Sequence, residues 1–161
     1  HNSKIARQTD MPEQPPGWNC EGGPATCPLD GQCQMDQLVY QATVKRTDTQ
    51  TKETYTGLTV GTLKKRYNQH MSDFRNLSGR KSTTLNKYIW HLKEEGAPYE
   101  ISWKKIARGR VFNPITKTCQ LCLQEKYLIM FSLKGATLNK RNELYNTCRH
   151  RLRELLKNVK T

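Results

Sequence analysis

The stretch ETYTGLTVGTLKKRYNQH, residues 53–70, changes its period halfway. Up to Thr59 it reads as a β-strand, with two glycines, Gly57 and Gly61, loosening its far end. From Thr62 it reads as a helix, with Leu63, Tyr67, Met71 and Phe74 recurring at i, i+4, i+8 and i+11. That recurrence predicts a core-facing stripe over 62–76. Arg66 and His70 are four apart, so they share a helix face beside the stripe. A strand that turns into a helix carrying Tyr55, Arg66 and His70 decides how the rest of the chain folds.

Upstream, LVYQATVKR at 38–46 alternates Leu38, Tyr40, Ala42 and Val44 with polar residues. A period of two marks a half-buried strand. TDTQTK supplies turn chemistry, so 38–59 is a predicted hairpin with Tyr40 on one arm and Tyr55 on the other. Downstream, a second helix is expected over 84–95. Ser82 or Thr83 would cap it, Leu85, Ile89 and Leu92 would face inward, and Gly96 would stop it. YEISWKKIA at 99–107 alternates again and is a third strand. A helix over 118–132 carries Cys119, Cys122, Glu125 and Ile129. A last helix over 138–157 places Leu144, Cys148, Leu152 and Leu155 on one side. The order β-β-α-α-β-α-α predicts a small α/β (α+β) domain, a three-stranded antiparallel sheet flanked by helices.

Three regions follow. Residues 1–19 are polar, with Pro12, Pro15, Pro16 and Gly17, and read as a linker or arm. Residues 20–36 hold three cysteines among Gly and Pro and too few apolar side chains to fold by burial, so they need a cross-link or a metal. Residues 37–161 form the main domain. The chain starts at His1 and has no signal-peptide core, and we read it as a piece of a longer protein. No run of about 18 apolar residues occurs, so no membrane-spanning helix is expected.

The 161 residues carry a net charge of +13. A field of that sign attracts polyanions, and nucleic acid is the commonest. The basic residues gather on helical segments and near the C-terminus. Lys64, Lys65, Arg75, Lys140, Arg141 and Arg149 are the candidate DNA contacts.

Six cysteines are present. An even number permits a disulfide framework. The C-x-x-C of Cys119 and Cys122 fits a metal-binding knuckle better. Cys27, Cys33, Cys119 and Cys122 make the preferred zinc set, with Cys20, Cys148 and His150 as substitutes or members of a second site. Cys148 also falls on an apolar stripe and reads equally as a buried thiol.

Several of these residues fall in a recognisable order. VYQ at 39–41, YTG at 55–57, Arg66, His70, Glu125 and Asn139 resemble the GIY-YIG nuclease family over about residues 38–145. The first Gly of the signature is Val39 here, and the Ile of its second tripeptide is Thr56. More narrowly, CPLDGQC, YTGLTVGTLKKRYNQH, IWHLK, CQLCLQEK and LNKRNEL with CRH are similar to the endonuclease domain of Penelope-like retroelements. The resemblance implies a GIY-YIG-type domain with an N-terminal zinc-binding arm, and a nuclear enzyme that nicks or cuts target DNA for insertion. It also implies a reverse transcriptase domain as partner. Its single-metal site would set an arginine on the phosphate and a tyrosine near the attacking water.

The residues support the same chemistry on their own. Glu125 is a hard oxygen ligand suited to Mg²⁺ or Mn²⁺. Arg66 can fork onto phosphate oxygens. Tyr40, Tyr55 and His70 can accept or relay a proton, and the base is left between Tyr40 and His70. The resemblance, rather than its own chemistry, gives Asn139 a supporting position. A second reading is a decayed relative that keeps zinc and the basic surface as a DNA-binding module. A third is a secreted disulfide protein. Oligomeric state is not legible in the sequence.

Overall fold

The computed structural model describes residues 20, 23–111, 115, 117–131, 137–139 and 148. The linker 1–19, most of the predicted last helix 138–157, and Lys140, Arg141, Arg149 and His150 lie outside the described residues.

The described residues form a small α+β domain. Strand β1 (Leu38–Arg46) pairs antiparallel with β2 (Lys52–Thr59) on one side and β3 (Tyr99–Arg108) on the other, giving the order β2-β1-β3. The hairpin forms where the alternation placed it. Its turn is closed by the Arg46 N–H donating to the Thr51 carbonyl at 2.9 Å, and by the Thr49 N–H donating to the Asp48 carboxylate at 2.9 Å. Helices α1 (Leu63–Asp73) and α2 (Thr84–Glu95) lie between β2 and β3 in sequence, and α3 (Gln120–Phe131) follows β3.

Caps fix the helix ends. The Thr62 side chain accepts from the Lys65 N–H, and the Thr83 side chain accepts from the Asn86 N–H. Gly96 ends α2 at φ +67°, a left-handed conformation that costs glycine little. The first N–H groups of α1 are taken by the cysteine-rich segment: Leu63 N donates to the Met35 carbonyl and Lys64 N to the Cys33 carbonyl, both at 2.8 Å. That segment therefore braces the helix that carries Arg66 and His70.

β1 is the centre of the molecule, with Leu38, Val39, Tyr40, Ala42 and Val44 all fully buried. A register shift against β3 falls between Val39 and Tyr40. Leu38, Tyr40, Ala42 and Val44 join a core with Tyr55, Leu63, Phe74, Leu85, Ile89, Leu92 and Trp103, into which Cys27, Leu29 and Cys33 also pack. Val39 packs with Cys119 and Leu121 in a separate cluster, on the side where α3 lies. The two clusters occupy opposite faces of β1.

Two expectations change here. His70 was read as lying beside the α1 stripe, yet it is buried, while Tyr67 and Met71 are only half-buried. The true inner face of α1 runs Leu63, His70, Phe74. Gly57 was read as loosening the far end of the strand, yet it sits inside β2, directly across from Tyr40. A Cβ at Gly57 would lie 2.6 Å from the Tyr40 hydroxyl and 2.9 Å from the Tyr55 ring. The position is kept bare so that the Tyr40 ring can cross it.

Candidate functional site

Four of the proposed residues meet on one face of the sheet. Tyr40 comes from β1, Tyr55 from β2, and Arg66 and His70 from α1. The Tyr40 ring centroid lies 6.4 Å from that of Tyr55 and 5.9 Å from that of His70. Trp103 of β3 and Phe74 close the box around His70, at 5.4 and 6.0 Å.

The polar atoms are joined in series. Arg66 Nε donates to the Tyr40 hydroxyl at 3.1 Å, and one of its terminal nitrogens donates to Gln69 Oε1 at 2.6 Å. The Tyr40 hydroxyl meets His70 Nε2 at 2.8 Å. His70 Nδ1 meets Asn86 Oδ1 at 3.0 Å. The Asn86 amide nitrogen reaches Asp73 Oδ2 at 3.1 Å, the Gly79 carbonyl at 3.3 Å, and the Ser82 hydroxyl. Asn86 and Tyr40 are fully buried, and His70 is 1% exposed.

Burial disfavours a charged imidazole. The Arg66 charge adds to this, and together they push the His70 pKa down to about 4 against the opposing pull of Asn86 and Asp73. His70 is therefore neutral at physiological pH. For Arg66, burial works against the charge, but Tyr40, Tyr55 and Asp73 outweigh it and hold its pKa above the usual arginine value. The result is a half-buried, permanently charged guanidinium anchored through Nε.

Asn139 acts on the backbone. Its side-chain oxygen accepts from the Thr56 N–H and its amide donates to the Thr56 carbonyl, both at 2.8 Å. Thr56 sits between Tyr55 and Gly57, so Asn139 holds the strand segment that presents them. Glu125 is carried by α3, half-buried, one turn after Leu121. The structure thus brings Tyr40, Tyr55, Arg66 and His70 together, while Glu125 belongs to an element packed on the opposite face of β1. Lys65 and Arg75 are exposed on and just after α1, and Lys64 is half-buried there.

The cysteines sort differently from the four-sulfur set suggested by the sequence. Cys20, Cys27 and Cys33 form one triad and Cys119, Cys122 and Cys148 another, with the sulfurs of each within 4.8 Å of one another. Cys27 and Cys33 pack in the Tyr40-side core and Cys119 in the Val39-side cluster, so β1 stands between the two halves of the expected set. Cys20 and Cys148, held in reserve, each complete a triad. None of the six cysteines is in a disulfide.

Each triad can hold a metal ion such as zinc. The Cys20 and Cys33 sulfurs are 3.9 Å apart. A tetrahedral zinc with sulfurs at about 2.3 Å spaces its ligands by about 3.8 Å. A disulfide would need the sulfurs at about 2 Å. At Cys27, burial disfavours the thiolate, but the backbone N–H groups of Leu29 and Gly31 and the thiols of Cys20 and Cys33 hold its pKa below the ordinary value. Cys20 is pushed up to about 11, first by its hydrogen bond with Cys27. Burial raises Cys119 and Cys122.

Two members of the buried series, Asn86 and Asp73, escape sequence reading. The available signal was an asparagine directly beside the apolar stripe Leu85, Ile89, Leu92. No protein-family model, no curated protein and no solved structure matches this chain.

Proposed function

We propose that the protein is a metal-dependent DNA endonuclease of GIY-YIG type, similar to the endonuclease domain of Penelope-like retroelements, and that it acts in the nucleus beside a reverse transcriptase. The observation that carries this reading is Arg66. Its Nε is fixed by a buried tyrosine that a neutral histidine backs in turn, and a terminal nitrogen is steadied by Gln69. An arginine used only for solubility has no need of such an anchor. Held this way, the terminal nitrogens are set to fork onto the non-bridging oxygens of a phosphodiester. Lys64, Lys65 and Arg75 extend the positive surface along the same helix, and Lys140, Arg141 and Arg149 would add to it.

Glu125 is the residue that would hold Mg²⁺ or Mn²⁺. Among the described residues no cluster of three carboxylate, histidine or thiol ligands includes it. One carboxylate suits a hard divalent ion that takes its other ligands from water and substrate phosphate. When bound, the ion supplies charge neutralisation at the scissile phosphate.

Tyr40 and His70 meet each other, Arg66 and Asn86 rather than solvent, so we give them the role of holding Arg66 instead of activating water. Tyr55, 7% exposed, lies closer to the surface. Zinc in the two triads would be structural. One ion would brace the N-terminus of α1 through Cys33 and Met35, and the other would fix the start of α3, one turn from Glu125. Each triad leaves one tetrahedral position for a further ligand.

The second reading is a decayed relative that binds DNA without turnover, favoured by the sealed Tyr40 and His70. Supercoiled plasmid incubated with the protein and Mg²⁺ or Mn²⁺ separates the two. Nicking that is lost in Glu125→Ala and in Arg66→Ala supports the nuclease. Retained DNA binding without nicking supports the decayed module, and nicking that survives Glu125→Ala removes Glu125 from the site. Metal analysis should find two equivalents of zinc per chain, falling by one in Cys33→Ser and by one in Cys119→Ser. Zinc-free protein with paired thiols would return the chain to the disulfide class.

A further inference from the structure

The direction of each hydrogen bond from Asp73 to Arg66 follows from which groups can only accept. Asp73 Oδ2 lies 3.1 Å and the Gly79 carbonyl 3.3 Å from one end of the Asn86 amide. Both are acceptors, so that end must be the NH₂ group. Asn86 Oδ1 then faces His70 Nδ1 at 3.0 Å, and an amide oxygen has no proton to give. His70 Nδ1 must carry the hydrogen. Because His70 is neutral, with its pKa at about 4, Nε2 is left with a lone pair. The Tyr40 hydroxyl, 2.8 Å away, therefore donates to Nε2. With its proton spent there, the Tyr40 oxygen turns a lone pair to Arg66 Nε, which can only donate, at 3.1 Å.

We infer that Asn86 is a positioning residue: it fixes His70 as the Nδ1–H tautomer and so makes Tyr40 the acceptor that anchors the Arg66 guanidinium. The opposite tautomer would donate into Tyr40 from Nε2 and would set two bare acceptors, Nδ1 and the Asn86 oxygen, against each other. Asn86 is held for this task from three sides. The Thr83 cap takes its backbone N–H at 3.1 Å, the Ser82 hydroxyl meets its amide, and Ser82 Oγ also donates to Asp73 Oδ2 at 3.1 Å. Gly79 lets the loop close over Asp73, since a Cβ there would lie 2.4 Å from the carboxylate.

The consequence for DNA cleavage rests on the nuclease reading, but the tautomer does not, so the two can fail separately. The test is a ¹H–¹⁵N spectrum of the imidazole nitrogens of ¹⁵N-labelled protein at neutral pH, with His70 assigned by its loss in His70→Gln. Wild type should display protonated Nδ1 and bare Nε2. Asn86→Asp, which keeps an acceptor facing Nδ1, should retain that tautomer. Asn86→Leu, which removes the acceptor, should lose it in favour of Nε2–H or a mixture. A wild-type Nε2–H tautomer overturns the inference, and so does an Asn86→Leu protein that keeps Nδ1–H. Absence of plasmid nicking in wild type would remove the nuclease reading and leave the tautomer result in force.

Discussion

The two faces of β1 carry different kinds of interior. On the Tyr40 face, five side chains from β1, α1 and α2 form one polar series that runs from half-buried Asp73 through buried Asn86, His70 and Tyr40 to half-buried Arg66, each joined to the next. On the Val39 face, α3 has Leu121 as its buried residue and turns Leu123, Tyr127, Met130 and Phe131 outward, each more than half exposed. The series itself is set before any ligand arrives, because its donors and acceptors face one another. The second face offers a half-buried carboxylate, Glu125, whose ion in the proposed enzyme would take its other ligands from water and substrate. Within the proposed enzyme, the arginine side is preorganised and the ion side is assembled on binding.

The sharpest way to break that contrast is to remove one charge from each face. Arg66→Ala and Glu125→Ala should each lower plasmid nicking by roughly 10²–10³-fold, the usual loss when one transition-state contact is deleted. Only Arg66→Ala should also disturb the His70 ring signals. Equal disturbance by both would mean that the faces are coupled.

Acid titration probes the sealed face through His70. The folded pKa of His70, about 4, lies below the ordinary 6.5. The unfolded chain therefore takes up this proton first as pH falls. The stability from a neutral His70 is fully present above pH 6.5, declines between 6.5 and 4, and is gone below. The loss should reach about 3 kcal/mol in urea unfolding, and the slope over that window should flatten in His70→Gln.

Gly57→Ala should cost about 1–3 kcal/mol, as overpacking of a filled core does, read as a lower urea midpoint with unchanged slope. A neutral result would mean that the Tyr40 ring can move aside and that the series is looser than its geometry. Thr83→Ala removes the cap of α2 and should cost about 1 kcal/mol. Because α2 delivers Asn86, it should also blur the His70 tautomer signal.

Much of this architecture was legible in the sequence. Alternation in 38–46 and 53–59 gave the hairpin, and Leu85, Ile89, Leu92 and Gly96 gave α2 with its end. The meeting of Tyr40, Tyr55, Arg66 and His70 followed from hairpin register and helix period. His70 was harder. At i+7 from Leu63 it lies on the inner face, but a histidine there reads as surface until the partner for each nitrogen is known, and those partners are Asn86 on another helix and Tyr40 on a strand. The zinc grouping failed for a similar reason. Spacing identifies cysteines that are near in sequence, and β1 separates Cys27 and Cys33 from Cys119 and Cys122 in space. Glu125 was legible as a carboxylate after a C-x-x-C, yet sequence could not say on which face of the sheet its helix would pack.

Residues 137–139 lie along the outer side of β2. The Leu138 N–H donates to the Thr54 carbonyl at 2.8 Å, the Thr54 N–H donates to the Thr137 hydroxyl at 2.7 Å, and the Asn139 amide imitates a peptide group opposite Thr56. An unpaired sheet edge is a template for a foreign strand. By occupying these hydrogen-bonding sites, three residues keep β2 from adding another chain's strand to the sheet. Replacing Thr137 and Asn139 by residues that cannot make these bonds would expose part of that ladder, and the defect to look for is self-association through β2.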